Sequence, residues 1–225
     1  MAITISLAGP LGHASAALWI EPAIDDAGAL PGSAQTTVGL GSLDGIQGRL
    51  AGVDDIDMFA ILVTDVSAFS ATTVAAGTEL LDTQLFLFDS AGRGIAANDD
   101  TRFDERNATI PLGTVSGDPG LYYLAVSEWM DKPISTAGDI FPAPFSPGEV
   151  VGPDGPGGAN PIITWDVDSF SFPGEAYEIV LTGAEFLSVI PEPSGFVVWG
   201  LIGLIVFGFG FARRSWTIAQ QRKGR

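Results

Sequence analysis

Asp82-Thr83-Gln84-Leu85-Phe86-Leu87-Phe88-Asp89 is the stretch that decides the fold. Side chains of a strand alternate between two faces, so a strand with one wet face shows apolar residues at every second position. Leu85, Phe86, Leu87 and Phe88 are apolar on both parities. Such a run needs cover on both faces, which marks a central strand. Outward from it, similar short runs occur at 45–50, 57–63, 80–88, 94–97, 108–112, 121–126, 162–168 and 177–181. Turn residues separate them: Ser90-Ala91-Gly92, Asn98-Asp99-Asp100, Gly117-Asp118-Pro119-Gly120 and Pro173-Gly174. No long stretch before residue 190 has apolar residues at a helical period. Short strands punctuated by Gly, Pro and Asp predict an all-β antiparallel sandwich over 44–185.

Two segments stand apart from this pattern. Residues 18–43 are rich in Gly, Ala and Pro and read as an extended lead-in. Residues 131–161 hold seven prolines and six glycines, a composition that does not sustain sheet pairing. Ile140, Phe141 and Phe145 offer anchors, so this excursion is expected to be ordered in part. No fixed order is expected across 151–160.

The chain has 225 residues, 46% of them hydrophobic, enough for one core and hence one domain plus an anchor. Its formal charge of −17 is unevenly placed. Five of the ten basic residues are Arg213, Arg214, Arg222, Lys223 and Arg225, while residues 1–190 hold five against 26 acids. Such a body repels nucleic acid and attracts cations. There is no cysteine, which excludes disulfides, thiolate catalysis and Cys-ligated zinc. Residues 1–17 carry no charged side chain and include Ala14-Ser15-Ala16, an A-x-A-like cleavage site. They read as a secretory signal peptide cut near Ala16, although no Lys or Arg precedes Arg49 to form its positive front end.

At the other end, Pro191-Glu192-Pro193 is followed by an uncharged run, 194–212, and then by Arg213-Arg214. Eleven of the eighteen residues 195–212 are Phe, Val, Leu or Ile. As a helix they would rise ~27 Å, near the thickness of a bilayer core. A single transmembrane helix is therefore expected over 194–212, after a linker at 186–193. The basic tail, 213–225, belongs in the cytoplasm by the positive-inside rule. Trp199 and Trp216 sit where interfacial anchors would. The order of triplet, span and basic cluster resembles the PEP-CTERM sorting signal of Gram-negative bacteria. The resemblance covers about the last thirty-five residues. It implies recognition by an exosortase, a membrane-embedded transpeptidase-like protease that cuts near Pro191, Glu192 and Pro193 and passes the body to the cell surface.

A second resemblance runs through the body, over roughly 43–183. Asp55-Ile56-Asp57-Met58-Phe59, Asp82-Thr83-Gln84-Leu85-Phe86-Leu87, Asn98-Asp99-Asp100, Gly120-Leu121-Tyr122-Tyr123-Leu124-Ala125-Val126 and Tyr177-Glu178-Ile179 occur in order. This is similar to the bacterial pre-peptidase C-terminal domain and its DVUA0089-like relatives. It implies a jelly-roll-like β-sandwich that serves as an accessory or adhesive module. The excursion at 131–161 departs from that pattern.

The acids supply the richest local chemistry. Asp55 and Asp57 open one strand, Asp82 opens another, and Asn98, Asp99 and Asp100 follow a third. Calcium takes six to eight oxygens in irregular geometry, so these loops, meeting at one end of a sandwich, can hold it. Solvated turn chemistry, with Arg102 and Arg106 pairing the acids, explains the same residues equally well. Catalysis is hard to assemble. His13 is the only histidine and leaves with the signal peptide, which rules out a Ser-His-Asp arrangement. Glu128 beside Trp129 is the one carboxyl whose neighbour could raise its pKa, against a plain surface acid at a strand end. Trp19, Trp129, Trp165, Tyr122, Tyr123 and Tyr177 either line a sugar-stacking face or form a core set.

The expectation is an exported, non-enzymatic protein of the cell envelope or exopolysaccharide matrix, held in membrane lipid until an exosortase cuts it. Its alternatives are a calcium-dependent carbohydrate-binding or adhesive module, and a hydrolase accessory or weak carboxylate-based hydrolase.

Overall fold

The computed structural model describes residues 16–52, 54–75, 82–142, 146–167 and 175–187. Most of the signal reading at 1–17 lies outside them. So do Phe145, the triplet Pro191, Glu192 and Pro193, the span 194–212, and Arg213 and Arg214. The described residues contain fifteen strands and no helix.

The largest sheet is built around the quoted stretch, which forms β6 (Thr83–Asp89). Its neighbours are β7 (Gly94–Asn98) and β9 (Gly120–Glu128). Beyond β9 lies β4 (Asp57–Val63), and beyond β7 the short β12 (Val150–Val151). The far edge of β4 is shared by β2 (Gln35–Thr36) and β15 (Ala184–Phe186). A second sheet runs β1 (Leu18–Ile20), β3 (Gly45–Leu50), β14 (Glu175–Thr182), β5 (Ser70–Ala75), β8 (Thr109–Ile110). A third, small sheet runs β11 (Gly138–Asp139), β10 (Lys132–Ser135), β13 (Ile162–Asp166).

The pleat sorts the large sheet into two cores. Phe59, Ile61, Leu85, Leu87, Leu124 and Val126 face the second sheet and pack with Ile46, Leu50, Tyr177, Ile179 and Leu181. Met58, Phe86, Phe88 and Ala125 face the other way, onto Ile140, Phe141, Val151 and Ile162. Cover on both faces of β6 is therefore observed. Phe86 lies between two alanines in register, Ala125 on β9 and Ala97 on β7. Those small neighbours leave room for Phe141 and Trp165, whose rings sit 5.7 and 5.1 Å from the Phe86 ring.

The outer cover is the Pro/Gly-rich excursion, and here the structure corrects the expectation of no fixed order across 151–160. Val151, Gly157 and Gly158 are buried. The amide of Gly157 donates to the Asp139 carbonyl (2.8 Å), and that of Gly155 to the Ile140 carbonyl (3.1 Å). The Ser135 hydroxyl donates to the Gly157 carbonyl (2.9 Å). A Cβ on Gly157 would run into the Gly138 carbonyl, and one on Gly158 into the Pro153 carbonyl. The glycines are there for close approach, not for looseness. Their composition hides this, because a backbone-on-backbone contact leaves no apolar pattern.

The lead-in also pairs more than its composition suggests. β1 runs parallel to β3, and β2 parallel to β4, so the sheets are mixed rather than purely antiparallel. These strands are three and two residues long, too short to show alternation. The Trp19 indole donates to Gln35 (3.0 Å), which ties the two together. β5 escaped the sequence reading because its buried face is Ala71 and Thr73, the latter bonded to Thr83 (2.7 Å) rather than packed as a hydrophobe.

The double burial of β6 makes a stability prediction. Phe86→Ala removes a fully buried ring that touches both Phe141 and Trp165, and should cost about 3–5 kcal/mol in urea denaturation. A loss below about 1 kcal/mol would mean that the excursion does not pack on this face.

Candidate functional site

The acids do not form one site. Strand alternation puts Asp57 on the Phe59–Ile61 side of the large sheet, while Gln84 and Phe86 share the opposite side. The expected meeting of Asp57 with Asn98–Asp100 is thereby corrected. Two groups form instead, one on each face.

The first group stands at the sheet end where β6 begins and β7 and β9 finish. Register fixes this: Thr83 is opposite Glu128, and Leu85 is opposite Asn98. Asp82, Asp99 and Asp100 each bring a carboxylate oxygen within 4.8 Å of the others. Asn98 is not a fourth member, since its side chain is spent on the loop. Its amide donates to the carbonyls of Asp100 (3.2 Å) and Glu149 (2.8 Å), and its oxygen accepts from the Thr109 amide (2.6 Å). It is a brace that shapes the turn carrying Asp99 and Asp100.

Three oxygens here are buried without a hydrogen-bond partner: Asp99 Oδ1, Asp100 Oδ1 and Gln84 Oε1. Asp99 is 5% exposed and Gln84 3%. Leaving such a group unpaired typically costs about 1–3 kcal/mol each. Burial first, and then the charges of Asp100 and Asp82, push the Asp99 carboxyl up to about 7, with the nearby Trp129 side chain opposing this in part. Asp100 is raised by burial and by Asp82, and Asp82 is raised by burial. Arg106, 3.7 Å from Asp82, offsets only part of this from the surface. Arg102 pairs with Glu105 instead. Sequence reading missed Gln84, because a polar residue near the start of a strand reads as solvent-facing, and its burial comes only from the segments packed around it.

These residues line a cavity of about 560 Å³, walled also by Trp129 and Met130 of the turn after β9 and by Asp131, Lys132 and Asp139 of the excursion. The Trp129 amide donates to the Asp82 carbonyl (3.0 Å). Met130 follows at φ +79°, the one non-glycine residue in the left-handed region among the described residues. That conformation costs roughly 1–2 kcal/mol and holds the turn's side chains at the cavity. Glu128 is buried at the end of β9, not a surface acid. Of the aromatic set, Trp19, Tyr122 and Tyr177 belong to the inner core or its edge, and Trp165 and Tyr123 to the outer one. Trp129 is 46% exposed and stands outside both.

The second group joins Asp57 to Glu21 and Asp26 of the lead-in. Asp57 is fully buried, its Oδ2 accepts from the Tyr177 hydroxyl (2.6 Å), and its Oδ1 has no partner. Burial, with Glu21 and Asp55 nearby, pushes its carboxyl up to about 9 despite that hydroxyl. Asp55 itself accepts from the Ala51 amide, closing the turn into β4, so it follows the turn reading. Glu21 accepts from the amides of Ala27 (2.8 Å) and Arg49 (3.1 Å). A sequence signal for this group was Gly48, where any Cβ would meet the Tyr177 hydroxyl and the Glu21 carboxylate.

Both groups consist of oxygen acceptors that lack enough donors. Hard divalent cations suit such sets, and the orphaned buried oxygens fit one in each place. No protein-family model matches the chain, and no curated protein matches it.

Burial of Asp57 has a pH consequence. Its folded pKa lies far above the ordinary value of 3.8, so between about pH 4 and 9 the folded state holds a proton that the unfolded state has released. Stability in chelator should fall as pH rises through that window, by up to ~1.4 kcal/mol per pH unit for this group. Asp57→Asn should flatten the slope of unfolding free energy between pH 5 and 8. Parallel slopes for the two proteins would show that Asp57 is not held neutral.

Proposed function

We propose that this chain is an exported, surface-destined, non-enzymatic protein whose jelly-roll-like β-sandwich is delivered by a PEP-CTERM-type signal. The observation that carries this is the ordered run of Pro191-Glu192-Pro193, an uncharged span at 194–212, and Arg213-Arg214, placed behind an acidic all-β body. The span would lodge in the inner membrane as a helix, the arginines would hold its end in the cytoplasm, and an exosortase would cut at the triplet. The body would then join the cell envelope or the exopolysaccharide matrix.

Mass spectrometry of the native protein tests the sorting. The mature chain should end close to 191–193, and replacing Pro191, Glu192 and Pro193 by alanine should leave the uncut chain in the inner membrane. A full-length, uncut chain in the cytosolic fraction would sink the reading.

A second reading, calcium dependence, is favoured by the orphaned oxygens of Asp99, Asp100, Gln84 and Asp57. Asp82, Asp99, Asp100 and Gln84 would hold one cation. Glu21, Asp26 and Asp57 would hold another, fastening the lead-in to the body. The cation would supply the positive charge that these buried acids lack, a source of rigidity for a chain without disulfides. At a hundredfold excess over Kd, one site stabilises the fold by ~2.7 kcal/mol. The melting temperature should therefore rise in calcium relative to chelator, and Asp99→Asn should shrink that rise. Identical melting in calcium and chelator would remove calcium from the account.

A further inference from the structure

We infer that the cavity beside Asp99 is a saccharide site, in which a divalent cation and the Trp129 indole together hold one neutral pyranose ring. The inference rests on the calcium reading of Asp82, Asp99 and Asp100 and adds the ligand class to it.

The cation leaves work undone. Three carboxylates and the Gln84 amide present four side-chain oxygens, whereas calcium takes six to eight. All four residues line the cavity, and the vicinal hydroxyls of a sugar seated there are oxygen ligands of the right hardness to fill the remaining positions. Water alone could fill them, but the wall beside them is not built for water.

That wall is Trp129. Its side chain lines the cavity, its amide is fixed to the Asp82 carbonyl, and the strained Met130 backbone follows it. A broad apolar face is thus held next to a cluster of bare acceptors. Among the described tryptophans, Trp19 and Trp165 pack against cores, and Trp129 stands outside both. Phe103, 90% exposed, lines the same cavity. A pyranose matches this pairing, because it offers an apolar C–H face and a hydroxyl edge on one rigid ring. Aromatic faces of this kind, with one apolar side and one wet side, are where such rings stack. The volume of about 560 Å³ falls within the usual range for small-molecule sites.

Charge narrows the class. Asp82, Asp99, Asp100, Asp131 and Asp139 line the cavity, against Lys132 alone. A seated divalent cation does not overturn that balance, so an anionic sugar is repelled and a neutral one is not.

The test uses the full-length chain in detergent. Calcium uptake is measured by titration calorimetry, and sugar binding by retention on immobilised mannan and galactan, with alginate as the anionic comparison. Wild type should be retained on at least one neutral polysaccharide in calcium, and at least tenfold more weakly in chelator. Trp129→Ala should bind calcium within twofold of wild type but lose retention at least tenfold. Asp99→Asn should lose retention at least tenfold and lose the calcium-binding event of this site while any uptake at Glu21, Asp26 and Asp57 persists, and it should melt no lower than wild type in chelator. If it does not fold, Asp82→Asn at the less buried ligand serves the same purpose. Calcium uptake without retention on mannan or galactan overturns the saccharide assignment and leaves the cation reading standing. No calcium uptake at this site overturns both. Retention that survives Trp129→Ala, or that favours alginate, also overturns it.

Discussion

A strand that is greasy on both sides cannot be satisfied by one partner sheet. Leu85 and Leu87 use the five-stranded sheet, and Phe86 and Phe88 then still need a roof. The chain meets that need with its least sheet-like segment. The described residues of this segment fold back over the outer face, Phe141 from the excursion and Trp165 from β13 just after it pack against the two phenylalanines, and hydrogen bonds among Ser135, Asp139 and Gly157 lock the excursion. Gly94 takes part in the same fit, since a Cβ there would lie 2.6 Å from Ile140 and 2.8 Å from Phe141.

The cavity is a by-product of that roof. The chain leaves the large sheet directly after β9, so Trp129 to Lys132, the turn that leads into the excursion, pass the sheet end where Asp82, Asp99 and Asp100 gather. Without the roof those acids would be ordinary solvated turn residues. With it, Asp99 is buried among like charges and its carboxyl rises to about 7. Fold and site share one cause, the hydrophobic demand of Phe86 and Phe88.

The same pleat explains why the body carries two acid groups and not one. Asp57 shares the inner side of β4 with Phe59 and so meets Tyr177 of the facing sheet. Gln84 shares the outer side with Phe86 and so meets the excursion. Each group has a buried oxygen with no donor, which is costly in a low-dielectric interior unless a proton or a cation answers it.

Much was readable in the sequence. The strands at Gly45–Leu50 and Asp57–Val63 and the central place of β6 follow from short-range patterns of two-residue period and turn residues, whereas the acids were readable only as one pooled set and not as the two groups that form. What stayed hidden depends on contacts between distant segments. The order within 151–160, the parallel pairing of β1 and β2, the brace role of Asn98, and the recruitment of Glu21 and Asp26 by Asp57 leave no local mark. Alternation along a strand states which side chains share a face. It does not state what lies across from that face, because burial and unpaired charge are properties of two segments brought together, and only the folded chain chooses the pair.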